Sequence, residues 1–149
     1  MTHTGTVRAT DALRERRQMT PDEIDAFLVA QRLCRCATIG AGELSNTTLW
    51  YVWHERVLWI SINPRKSRWS GLHNGPVRGP RASVVVDVGE YPGEIRIVEL
   101  RGRLRLSANR RPVPADVERL FALRYRQSHN AERYAWAYLE PRTTLSWRT

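Results

Sequence analysis

From residue 33 onward the chain is dominated by short apolar stretches with a period of two, and a helical period shows at few places. Thr20-Pro21-Asp22-Glu23 forms a capping box with proline at the first helical position. Ile24, Phe27 and Leu28 then fall on one face, so the spacing predicts a helix that ends near Gln31. Residues 33–39 are β-compatible, and Gly40-Ala41-Gly42 supplies a turn. The β-branched and aromatic run 46–53 is a strong strand signal. Its hairpin partner is 56–62, across a two-residue turn at His54-Glu55. Asn63-Pro64 ends that strand. Residues 65–73 predict a short helix, closed by Asn74-Gly75-Pro76, and Gly79-Pro80 makes a second turn.

The run 82–88 reads as a buried strand. A long strand over 94–106 follows, bent near Gly102, since an interior glycine marks a bulge or a close backbone approach. Pro112 and Pro114 precede a helical stripe of Val117, Leu120, Phe121 and Tyr125. A second short helix is predicted over roughly 130–138 and a last strand over 143–148. Tight turns favour antiparallel pairing. The expected fold is therefore mainly β, a six-stranded antiparallel barrel with peripheral helices. Residues 1–19 read as a basic flexible leader and 20–149 as the single barrel domain.

The 149 residues suffice for one domain with a real core, and 42% of them are hydrophobic. No apolar run approaches the roughly 20 residues of a membrane span, and the N-terminus lacks a secretory apolar stretch. The expectation is a cytoplasmic protein with no membrane partner. Cys34 and Cys36 stand two apart, on one face of a strand. They read as small buried apolar side chains, because further zinc ligands at suitable spacing are missing. The net charge is +9, and Lys66 is the sole lysine among 24 basic residues. A basic, tryptophan-rich chain invites a nucleic-acid reading. The arginines are spread along the sequence, and no helix-turn-helix, zinc-finger or aromatic RNA-binding signature accompanies them, so that reading ranks last.

Arg65, Lys66 and Arg68 cluster where a strand meets the predicted short helix. Charge-assisted donors at such a junction suit a phosphate. From the residues alone, the cluster is equally a phosphate clamp and a solvated basic turn. Ser61 and Asn63 close the strand before it. Thr48, Trp50 and Trp59 could wall a flat ring, although strand aromatics are more often core or interface. Trp69 is a candidate cap over a ligand or a filler of a subunit contact. His54 falls in a turn, and His73 lies near the cluster. Paired carboxylates, a Ser-His-Asp set and a Walker loop are all missing, so a hydrolase has no support.

The run Leu58-Trp59-Ile60-Ser61-Ile62-Asn63-Pro64-Arg65-Lys66 resembles the strand and phosphate loop of pyridoxamine 5′-phosphate oxidase-like proteins. Pro80 to Asp87, the Thr20–Leu28 helix, Cys36 to Ile39 and Leu139 to Trp147 also fit that family, over about residues 20 to 149. The resemblance is nearest to the actinobacterial flavin/deazaflavin-dependent branch. It implies a split β-barrel and a homodimer with cofactor sites at the subunit interface. It also implies FMN or the deazaflavin coenzyme factor 420 as cofactor, and hydride transfer to or from a small organic substrate. A non-catalytic flavin or haem carrier of the same fold is the alternative. The cofactor residues implied are Ser61, Asn63, Arg65, Lys66, Arg68, Trp69, Thr48 and Trp50, with no catalytic acid or base assigned. Two departures stand out. The stretch from Lys66 to Pro80 is longer than usual, and strand 46–53 lacks the Arg and Lys that hold FMN phosphate in the vitamin-B6 enzymes. The named B6 reaction is therefore not expected.

Overall fold

The computed structural model describes residues 17–40, 42–74, 79–108 and 111–149, with only the backbone of His73 and Asn74. Residues 1–16 of the basic leader, and the middle of the Lys66–Pro80 stretch, lie outside the described residues. Helix α1 (Pro21–Ala30) starts as its capping box predicts: the Glu23 N–H donates to the Thr20 hydroxyl at 3.2 Å, and Phe27 and Leu28 are buried. The strands β1 (Leu33–Gly40), β2 (Glu43–His54) and β3 (Val57–Ile62) follow. A 3₁₀ turn (Ser67–Trp69) runs into the short helix α2 (Ser70–Asn74). Then come β4 (Arg81–Val88), β5 (Arg96–Leu106), helix α3 (Ala115–Tyr125), β6 (Ala135–Leu139) and β7 (Thr143–Arg148).

The strands pair in the order β4-β1-β2-β3-β6-β5, and β5 returns to β4, which closes a six-stranded antiparallel barrel. β7 adds to β5 outside this ring. Along one side β5 pairs with β7 from Arg96 to Arg101, then with β6 from Leu104 to Leu106. The change of partner occurs at Gly102, where a Cβ would lie 2.7 Å from the Glu140 carbonyl of the β6–β7 link. The glycine thus marks a close backbone approach where the chain crosses from one sheet to the other.

Two expectations are corrected. The segment predicted as helix over 130–138 holds β6. Ala137 and Leu139 face the barrel interior, while Trp136 and Tyr138 pack under α3. A strand buried on both faces shows no polar alternation, so its period is hidden in the sequence. The β2–β3 turn is one residue later than expected, at Glu55 and Arg56, both with positive φ (49° and 60°). A two-residue hairpin whose two central residues both have positive φ normally uses Asn-Gly or Asp-Gly, so this sequence gives little warning of it.

Two apolar layers hold the molecule. The barrel interior is filled by α1, both cysteines and inward residues of the six barrel strands, including Tyr51, Leu58, Ile60, Val84, Leu100 and Leu104. The second layer lies between α3 and the outer face of β2, β3 and β6, with Val52, Trp59, Phe121, Tyr125 and Trp136. Among the described residues, the outer side of β1, β4, β5 and the first half of β2 carries no comparable buried apolar layer, and residues such as Leu33, Ile39 and Leu44 stay exposed there. Among the described residues no helix is long and apolar enough to cross a membrane.

Candidate functional site

β2 changes partner in its middle. Its residues up to Trp50 pair with β1, ending at Trp50 with Leu33, and from Tyr51 onward they pair with β3. Where β1 peels away, the Tyr51 backbone loses a strand neighbour on that side. The side chain of Tyr125, the last residue of α3, fills the gap. The Tyr51 N–H donates to the Tyr125 hydroxyl at 3.1 Å. That hydroxyl in turn lies 2.6 Å from the Tyr51 carbonyl and 2.7 Å from the Arg32 carbonyl. Burial and these bonds matter because an orphaned strand amide is costly. Arg124 reinforces the junction by donating to the Val29 and Gln31 carbonyls at the end of α1.

A cavity of about 430 Å³ opens at this seam. Leu33, Thr48 and Trp50 line it from β1 and β2, Ser61 from β3, and His129 and Arg133 from the segment after α3. Trp50 is 38% exposed. Its ring stacks on Tyr125, with centroids 4.6 Å apart and planes 12° from parallel, and meets Phe121 edge-on at 6.0 Å. The result is a flat aromatic surface, hydroxyls from Thr48 and Ser61, an imidazole and a guanidinium, an arrangement that can receive a planar ligand with polar edges.

Solved structures of this shape exist. An FAD-binding protein from Mycobacterium smegmatis superposes with a TM-score of 0.65 at 13% identity, covering 89% of this chain and 99% of that one. A putative pyridoxamine 5′-phosphate oxidase from Corynebacterium glutamicum gives 0.60 at 12%, covering 89% and 91%. A haem storage protein from Vibrio cholerae gives 0.64 at 12%, covering 85% and 94%. No protein-family model matches the sequence, and no curated protein sequence matches it significantly. The chain has the split-barrel fold of the pyridoxamine 5′-phosphate oxidase-like proteins.

Within the split barrel, three of the residues singled out from sequence, Thr48, Trp50 and Ser61, meet in the seam cavity. Asn63 organises the turn beyond Ser61: its side-chain oxygen accepts the Arg65 N–H at 3.1 Å and its carbonyl accepts the Lys66 N–H at 3.1 Å. This turn leaves Arg65 and Lys66 exposed, and among the described residues neither side chain has a hydrogen bond or ion pair. Arg68 donates to the Thr47 hydroxyl at 2.9 Å. Trp69 is only 3% exposed, packs into the barrel core and does not line the seam cavity. Trp59 is likewise buried, under α3. His54 lies 3.8 Å from Glu55 in the hairpin end. The His73 side chain lies outside the described residues.

Sequence reasoning missed His129. Its ring stacks on Trp136, with centroids 4.5 Å apart, and meets Phe121 edge-on. Its Nε2 is buried without a hydrogen-bond partner among the described residues. Burial holds the imidazole below its ordinary pKa, while Glu118 opposes that shift. The stretch around it has neither period nor motif. Only its place just after the Val117–Tyr125 stripe could have drawn attention.

Proposed function

We propose that this split barrel binds a flavin-type cofactor, FMN or the deazaflavin coenzyme factor 420, and serves hydride transfer to or from a small organic substrate. The ring system would lie in the seam cavity on the open side of Trp50, with the phosphate toward Arg65 and Lys66. One observation carries this reading: Thr48, Trp50 and Ser61 converge on one cavity, and the same strand end continues, four and five residues after Ser61, into two exposed cations whose side chains have no hydrogen-bond or ion-pair partner among the described residues. A flat apolar ring with polar edges and an anionic tail needs that combination. The FAD-binding description of the M. smegmatis protein supports the reading by analogy of fold.

When bound, the cofactor supplies the hydride chemistry. The chain's own residues bind and orient. The Tyr125 ring backs Trp50, the Thr48 and Ser61 hydroxyls offer hydrogen bonds, and Lys66 acts as a compact point charge for phosphate. Phe121 of α3 and residues of the 127–134 segment form the wall of the cavity opposite the strands.

A homodimer is part of the proposal. Leu33 and Trp50, opposite each other on the outer face of β1 and β2, are both exposed beside the seam. Aromatic residues of this kind are enriched at subunit contacts, and a second copy seated there would complete the cavity. Sedimentation showing a monomer at micromolar concentration would contradict this.

A second reading, a haem carrier, draws on His129, which lines the cavity, whose pKa burial lowers, and whose Nε2 has no hydrogen-bond partner among the described residues. That nitrogen is shielded from solvent, which favours the flavin. The deciding experiment loads the protein with reduced FMN or reduced factor 420 and mixes it with a panel of quinones and enones. Faster reoxidation than for the free cofactor supports the enzyme. Equal rates on and off the protein contradict catalysis, and a Soret band on adding haemin without any flavin binding would select the carrier.

A further inference from the structure

We infer that the outer sheet face holds a second binding site, for an organic anion with an apolar body, at the end of the face away from the seam. A cavity of about 450 Å³ opens there, within the roughly 300–1,000 Å³ usual for small-molecule sites. Four arginines are among the residues that line it, Arg81, Arg101, Arg103 and Arg142. The β4–β5 register sets Arg81 directly opposite Arg103, hence on the same face. Like charges placed so destabilise an antiparallel pair. Among the described residues, Arg101 alone of the four has a carboxylate partner, Glu99, at 2.9 and 3.2 Å. Arg103 donates to the Gly79 carbonyl at 3.1 Å. Among the described residues, the side chains of Arg81 and Arg142 have no acidic partner.

The apolar part of the site comes from the β1–β2 hairpin. Ile39 and Leu44 are register partners there, 53% and 80% exposed, and both line the same cavity. Either feature alone is ordinary, since basic strands are often solvated and single exposed leucines are common. Their coincidence is what points to a ligand: one molecule would neutralise Arg81 and Arg142 and cover Ile39 and Leu44. A second copy of the chain is a poor occupant of this end, because a two-fold contact brings arginine against arginine. At the seam end, by contrast, Arg35 is paired with Asp87. The two sites are separate. Ile39 is six residues along β1 from Leu33, about 20 Å at the usual rise of a strand.

Isothermal titration of the full chain tests this with decyl phosphate and decanoate, below their micelle concentrations, and with decanol as the neutral comparator. Saturable binding of either anion without binding of decanol is expected, and the tighter anion identifies the head group. The double variant Arg81→Ala/Arg142→Ala should weaken the anion roughly tenfold or more, as expected for losing charge-assisted contacts. Leu44→Glu, which places a carboxylate on the apolar lip, should abolish binding. Lys66→Ala, which tests the cofactor reading instead, should leave this affinity unchanged. Decanol binding as tightly as the anions, or full affinity in the double variant, would overturn the inference. So would a change in sedimentation of the unliganded double variant, which would make this face a subunit contact.

Discussion

The Trp50 indole lies flat on the Tyr125 ring, and the Tyr125 hydroxyl closes the backbone of Tyr51, the next residue along β2. One side chain thus supports the candidate ligand wall and seals the point where the barrel splits. Tyr125→Phe keeps the ring and removes the hydroxyl. It should cost about 1–3 kcal/mol of stability, the range for leaving a buried polar group unpaired, with little change in cofactor affinity. Tyr125→Ala should lose both. Urea unfolding alongside FMN titration separates the two effects.

Lys66→Ala should weaken cofactor binding by about 1.5–3 kcal/mol, as expected for a hydrogen bond to a charged group, without changing the fold. Lys66→Arg should recover only part, because a planar fork does not replace a point charge. Equal affinity of wild type and Lys66→Ala for both FMN and factor 420 would place the phosphate elsewhere.

Much of the fold was readable because its signals are local. The capping box at Thr20, the β2–β3 hairpin and the Val117–Tyr125 stripe each carry their own period or cap. β6 was not readable, since it is buried on both faces and its neighbours come from distant parts of the chain. The candidate site divides the same way. Thr48 and Trp50 stand two apart on a clear strand and so share a face, whereas Ser61, which the sequence placed with Asn63 at the strand end, joins them in the cavity only through the fold. Trp69 lies in an irregular stretch where nothing in the sequence separates core from ligand contact, and His129 reaches the cavity only through tertiary packing.

His129 should give stability a pH dependence. Its pKa is depressed in the folded state by burial, so the unfolded chain binds the proton first. Its contribution is complete above the unfolded value of about 6.5 and is lost as pH falls from there toward the lower folded value. Glu118 moderates the loss. Urea midpoints between pH 7.5 and 5 should fall in the wild type and fall less in His129→Phe. The carboxylates of Glu23, held low chiefly by Arg17, and Glu99, held low chiefly by Arg101, act in a separate, more acid window.

Cys34 and Cys36 are buried in the barrel, and burial pushes the Cys36 thiol up to about 12 and raises that of Cys34 as well. The thiolate is the reactive form. The native protein at pH 8 should therefore resist a thiol-specific disulfide reagent, and both thiols should react once it is unfolded in guanidinium. Rapid reaction of the native chain would contradict the closed barrel core.

The most direct test of the account is a titration of the full chain with FMN, and in parallel with factor 420, following tryptophan fluorescence in the wild type and in Trp50→Ala. The account predicts saturable quenching by at least one of the two cofactors in the wild type. In Trp50→Ala the quenching should be smaller and the affinity lower by about 1 kcal/mol, roughly fivefold in Kd, the scale of an aromatic stacking contact. No saturable binding of either cofactor, or binding and quenching unchanged in Trp50→Ala, would contradict the assignment of the seam cavity as the cofactor site.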